Sequence, residues 1–187
     1  MPALLGLSRA IDRLLNAIAK VGMWAGLGLI FVVVYDVSSR YFGVPKPFGL
    51  NSTKVQEAEY WLHTYLFATM IGYAYTRQAH VRIDLLRDKF SPRVKFLVEI
   101  FGICLFLLPF AAIAIYYTGA YAYQSYLEGE VSKSVIGIPH SWLLKIALPM
   151  LFVLLGLAGV SQLIKSLAGL TGRLSKDDSA GFIGEET

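Results

Sequence analysis

Four apolar runs alternate with polar segments along this chain. The first covers about 18–35 and is cleanly apolar from Val21; the others cover about 58–75, 96–123 and 142–167. A helix needs roughly 20 mainly apolar residues to cross about 30 Å of hydrocarbon. The pattern therefore predicts an all-α, integral membrane four-helix protein, with residues 1–187 forming a single membrane domain. The third and fourth runs exceed the length a bilayer needs, which predicts tilt or protrusion into water. Pro109 and Pro149 lie inside them and predict kinks, tolerated where neighbours satisfy the freed carbonyl. Before the first run, Leu4, Leu5, Leu7, Ile11, Leu14 and Leu15 alternate with Ser8, Arg9, Asp12 and Arg13 at helical spacing. That spacing predicts a short N-terminal amphipathic helix lying at the interface. The polar, glycine-containing tail 173–187 reads as disordered.

The connections carry their own signals. Gly43, Pro45, Pro47, Gly49 and Asn51 break the chain after the first run, and Thr53 with Gln56 has the spacing of a capping box for the second helix. The second connection is densely cationic, with Arg77, Arg82, Arg87, Lys89 and Arg93. Counting Lys and Arg by side places twelve with the N-terminus, the second loop and the tail, against five in the other two loops. The positive-inside rule then predicts both termini cytoplasmic, which an even number of spans also requires. The residues after the first run, Asp36-Val37-Ser38-Ser39-Arg40, lack a small-x-small cleavage site. The run is accordingly read as an uncleaved span.

Composition sharpens this reading. The chain is 56% hydrophobic and 16% charged, with a net charge of +4, whereas soluble chains are nearer a quarter charged. Its basic residues gather at the ends of apolar runs, which points to membrane orientation and away from nucleic acid. Cys104, the only cysteine, has no partner for a disulfide and no companions for a metal site.

Candidate chemistry is sparse. Glu57, Glu59 and His63 lie on the outer end of the second helix, and Glu59 and His63 share a face four residues apart. The spacing suits a proton or cation relay. The second helix has no deeper acid to continue one, so pairing with water or a neighbouring subunit is the other reading. Glu99 lies a turn inside the third helix with Lys95 four residues earlier, an i,i+4 pair; a coupling-ion ligand would need several more oxygens. His63 and His140 both fall near the outer surface, which leaves a haem- or quinone-binding membrane anchor as an alternative. An autonomous small transporter is a further alternative and would need ionisable groups deep in the spans. Gly22 and Gly26, with Gly28 nearby, form a small-residue face for helix packing; Ala114, Thr118 and Ala122 form another. There is no HExxH, CxxC or phosphate-binding glycine loop, so no enzyme activity is predicted.

Three blocks resemble the small membrane subunit (DctQ type) of tripartite ATP-independent periplasmic, or TRAP, transporters. The first is Tyr35-Asp36-Val37-Ser38-Ser39-Arg40-Tyr41-Phe42-Gly43. The second, the most specific, runs from Gly72-Tyr73-Ala74-Tyr75-Thr76-Arg77 through His80-Val81-Arg82-Ile83-Asp84-Leu85-Leu86 to Ser91-Pro92-Arg93. The third includes Gly129-Glu130, Ser132, Ile138-Pro139, Trp142 and Leu148-Pro149. The resemblance implies a small permease subunit of a sodium-driven transporter for organic acids, set in the bacterial inner membrane and without a cofactor. Its implied partners are a large membrane subunit (DctM type), which moves substrate, and a periplasmic substrate-binding protein (DctP type). Structural or subunit-contact roles are then expected for Arg40, Tyr41, Glu57, Glu59, His63, His80, Arg82, Asp84, Glu130 and Trp142. Outer-loop residues Lys46, Lys54, Glu128 and Glu130 are expected to touch the binding protein.

Overall fold

A computed structural model of the protein describes residues 2–47, 49–79, 90–134, 136–172 and 174. Among them there are four long helices and no strand: α1 (Pro2–Tyr41), α2 (Ser52–Thr76), α3 (Pro92–Leu127) and α4 (Ser141–Leu170). By length and composition α1, α3 and α4 are long and apolar enough to cross a membrane. In α2, Tyr60, His63, Thr64, Tyr65, Thr69, Tyr73 and Tyr75 dilute the apolar character. The tail expected at 173–187 lies, apart from Leu174, outside the described residues.

The structure makes one helix of what the sequence reading divides into an interfacial helix and a span. No proline interrupts the 40 residues of α1, and both Leu15 and Ala19, at the expected junction, are buried. The start of α2 also differs from expectation. Thr53 already lies inside the helix, and Asn51 caps it: its Oδ1 accepts from Lys54 N at 2.8 Å and its carbonyl from Val55 N at 3.2 Å. The Asn51 amide donates onward to Ile136 O at 2.9 Å.

Pro109 leaves its mark on α3 as a π-helical turn, Ile103–Leu107. A proline ring collides with the carbonyl four residues back and offers that carbonyl no N–H. Widening the preceding turn, with Leu108 N donating to Ile103 O, moves the Leu105 carbonyl out of the way. Pro149 sits inside an unbroken α4.

The chain divides into two compact units, each taking part of every helix. The first comprises 1–17, 71–113 and 152–187. Its core is Leu15, Phe96, Ile103, Ala111, Leu154, Ala158 and Ala168, all buried. Close approach depends on small residues: a Cβ on Gly72 would stand 2.8 Å from the Leu154 carbonyl oxygen and 2.9 Å from Leu15 Cδ2. Through this apolar packing runs a polar seam between α1 and α4. The Ser8 and Ser161 hydroxyls lie 2.8 Å apart, and Asp12 accepts from Ser161 Oγ and Lys165 Nζ, each at 2.6 Å. Gln162, fully buried, donates to the Thr76 carbonyl at 3.1 Å and so occupies part of the open end of α2.

The second unit comprises 18–70 and 114–151. Gly22, Gly26 and Gly28 of α1 face Thr69, Leu66 and Leu62 of α2 in succession, so the small-residue face expected from the sequence is used within the chain. Thr69 turns its hydroxyl back onto the Tyr65 carbonyl at 2.7 Å, which lets it sit in this seam without an unpaired donor.

Candidate functional site

Three groups of charged residues form in the second unit, near the end of α1, the start of α2 and the start of α4. The first forms where α1 ends. Asp36, 5% exposed, accepts from Arg40 Nη2 and from Lys46 Nζ, both at 2.7 Å. Arg40 reaches it because the two are one helical turn apart. Lys46 reaches it because the chain reverses at Gly43, whose φ of +65° suits a residue without Cβ. Lys46 also donates to Ser52 Oγ at 2.9 Å, tying the end of α1 to the start of α2. With its amide turned so that oxygen faces the guanidinium, Gln56 accepts from Arg40 at 2.6 Å.

The second group centres on Glu57. One carboxylate oxygen accepts from Ser132 Oγ and the other from Ile138 N, so one side chain of α2 holds both ends of a loop segment. Gly137 lies against this carboxylate, where an added Cβ would fall 2.5 Å from Glu57 Oε1. The third group is Glu130 with Lys145 of α4. The Lys145 ammonium also sits 3.9 Å above the centre of the Tyr121 ring. Hydrogen bonding to Lys145 holds the Glu130 carboxyl below its ordinary pKa. Ser141 N donates to the Glu130 carbonyl at 3.0 Å, closing the loop at the start of α4.

The other residues singled out in the sequence are placed as follows. Tyr41 is 83% exposed and meets only Phe42 edge-on. Glu59 is half-buried and forms no ion pair with a described residue, His63 included. His63 instead packs its ring against Phe67 at 4.7 Å. Trp142 packs edge-on against Tyr126 at 5.2 Å, with His140 beyond at 6.5 Å. His80, Arg82 and Asp84 lie outside the described residues. The i,i+4 pair expected of Lys95 and Glu99 does not form; Glu99 faces the Tyr75 hydroxyl at 3.5 Å. Among the described residues no three His, Cys, Asp or Glu side chains come together as metal ligands.

Sequence reasoning passed over Asp36 as the centre of a cluster, and Asp12 with Lys165. The available signal was the same in each case: a charged residue beside or within a long apolar run must find a partner, because an isolated charge there is costly. Lys46, expected to face a partner protein, is only 10% exposed in its side chain. Lys54 contacts the Gly49 carbonyl at 3.4 Å, and Glu128 accepts from Gln124 at 2.7 Å.

Each carboxylate described in these three groups is thus held by a neighbouring cation, hydroxyl or amide of its own chain. That chemistry clamps helices and loops together; among the described residues no nucleophile stands beside a base and no relay connects the acids. No curated protein and no solved structure matches the chain. A profile of the family described as "Tripartite ATP-independent periplasmic transporters, DctQ component" matches residues 29–169. That span takes in the Asp36, Glu57 and Glu130 clusters, all of α2 and α3, α4 as far as Gly169, and the last part of α1 from residue 29. The chain therefore belongs to the DctQ family of tripartite ATP-independent periplasmic (TRAP) transporter components.

Proposed function

We propose that this protein is the small permease subunit of a sodium-driven TRAP transporter for organic acids. In that role it braces a large transport subunit of the DctM type and works with a periplasmic binding protein of the DctP type. The family match carries the proposal, and the structure supports a bracing part through what its helices offer. Trp24, Phe31, Phe101, Phe106, Tyr116 and Tyr117 are each more than 60% exposed, on helices apolar enough for a membrane. Such faces suit lipid or another membrane subunit. Among the described residues of those helices, the ion pairs form at Asp36 near the end of α1, at Glu130 in the loop before α4, and between Asp12 and Lys165, an arrangement of local clamps that suits a scaffold.

All four helices cross the inner membrane in this reading, α2 included, and both termini are cytoplasmic. The loops 42–51 and 128–140 then face the periplasm. There Arg40, Tyr41 and Trp142 with Lys54, Glu128 and Lys133 form the surface nearest the binding protein. Glu57 and Glu130 shape that surface from beneath.

The test is affinity purification of the tagged chain from native membranes in mild detergent, with mass-spectrometric identification of what accompanies it. A co-purifying membrane protein of many spans, together with a periplasmic binding protein under substrate, is the expected result. Recovery of the chain alone, or with a flavin or iron–sulfur subunit, refutes it. Single-cysteine labelling at Lys54 and Lys133 from the periplasmic side checks the topology.

A further inference from the structure

Glu99, like Glu59, is an acid outside the clamps described above, and it is the one that opens into a groove. It is half-buried, forms no ion pair with a described residue, and has only the long 3.5 Å contact with the Tyr75 hydroxyl. It opens into a groove of about 570 Å³ walled, apart from Glu99 and Tyr75, by apolar residues, among them Val98, Gly102, Phe106 and Phe110. Gly102 leaves the groove unfilled, since an added Cβ there would meet nothing within 4 Å. Phe106 and Phe110 are 64% and 58% exposed and line its deeper end.

We propose that this groove binds a phospholipid with a primary-ammonium headgroup, such as phosphatidylethanolamine. The order of groups along the groove matches such a lipid. Glu99 lies seven residues beyond Pro92, roughly 10 Å along the helix, within reach of a headgroup ammonium. The Phe106 and Phe110 rings follow about two and three turns deeper, where an acyl chain runs. Arg93, exposed at the start of the helix, stands on the headgroup side of Glu99. A carboxylate without a cation, at the edge of hydrocarbon, is stabilised by an ammonium that both neutralises it and donates hydrogen bonds. Phosphatidylcholine, whose quaternary nitrogen has no N–H, supplies only the first of these. Phosphatidylglycerol supplies neither.

The proposal rests on reading α3 as a membrane-spanning helix. Its test is native mass spectrometry of the full-length protein in non-ionic detergent, titrated separately with dioleoyl phosphatidylethanolamine, phosphatidylcholine and phosphatidylglycerol. Wild type is expected to retain phosphatidylethanolamine most strongly. Glu99→Gln is expected to lower that retention about tenfold or more, the effect of losing a charged hydrogen-bond partner, with phosphatidylglycerol unchanged. Gly102→Leu, which fills the groove, is expected to lower retention while the protein stays monodisperse. Equal retention of the three lipids, or a Glu99→Gln variant that binds phosphatidylethanolamine as wild type does, overturns the proposal and leaves the membrane reading intact. Carbodiimide coupling of Glu99 to a lysine of another subunit in native membranes also overturns it. A protein that is monodisperse without detergent and binds no lipid overturns the membrane reading itself.

Discussion

Replacing Asp36 by Asn keeps the volume of the side chain and removes the charge that two cations share. Asp36 is 7% exposed in its side chain and Lys46 is 10% exposed, against 45% for Arg40. The two pairs therefore differ in worth. Arg40 can return to water, and losing a half-exposed partner of this kind costs about 0–1 kcal/mol. Lys46 keeps only neutral acceptors, the Asn oxygen and the Ser52 hydroxyl at 2.9 Å, and leaving a buried cation without a counter-charge costs about 3–5 kcal/mol. Part of that is recovered if the loop around Lys46 relaxes, so the expected loss is about 3 kcal/mol, a factor of roughly a hundred in the folded-to-unfolded ratio. The assay is denaturant unfolding of the purified protein in mixed micelles, read by tryptophan fluorescence. Lys46→Met and the double variant complete a cycle. Because the cost lies in the unpaired ammonium, the double variant should be more stable than Asp36→Asn alone. A single variant within about 0.5 kcal/mol of wild type, or a double variant whose loss equals the sum of the singles, refutes the reasoning.

Three further predictions concern stability. Gly72→Ala should destabilise by about 1–3 kcal/mol, since Leu15 can shift but the Leu154 backbone cannot; Gly119→Ala, which meets nothing within 4 Å, should leave the melting midpoint unchanged or raise it. Gln78 ends α2 in the left-handed region at φ 59°, with both amide atoms buried and unpaired. Gln78→Gly should therefore stabilise by about 1 kcal/mol, and a lowered midpoint would show that the side chain has a partner in the assembled transporter. The Glu130 carboxyl is held below its ordinary value of 4.5 by Lys145, so its contribution is present above pH 4.5 and disappears as the pH falls through the lower folded value. The stability difference between wild type and Glu130→Gln should be flat from pH 5 to 8 and shrink below 4.5; a difference that changes near neutrality contradicts this assignment.

Much of the fold was legible because apolar runs of this length allow little else. The described helices contain all four expected runs, and α3 and α4 start at Pro92 and Ser141. What was not legible depended on partners distant in sequence. The Ser8–Ser161 contact spans 153 residues, and nothing local in either segment announces it. Glu57 looked like one end of a relay because its neighbours Glu59 and His63 share helical spacing. Its actual partners, Ser132 and Ile138, come from a loop whose path no periodicity predicts. The cap of α2 was misplaced by two residues for a related reason. Thr53 and Asn51 are both good caps, and the choice was settled by the second bond Asn51 makes to Ile136.

The π-helical turn has a consequence for how this chain can change. Each residue advances an α-helix by about 100°, and the turn at Ile103–Leu107 carries one residue more than an unbroken helix would need. The extra residue sets the phase between the two halves of α3, so Phe96 before it and Ala111 after it are both buried. Deleting one residue within 103–107 would let the helix run regularly while Ala111 kept its azimuth. The same deletion a few positions later would rotate Ala111 and everything beyond it by roughly a quarter turn. Length variation in this helix is thus confined to one narrow window, and Pro109 keeps that window occupied by making the regular alternative collide with a carbonyl.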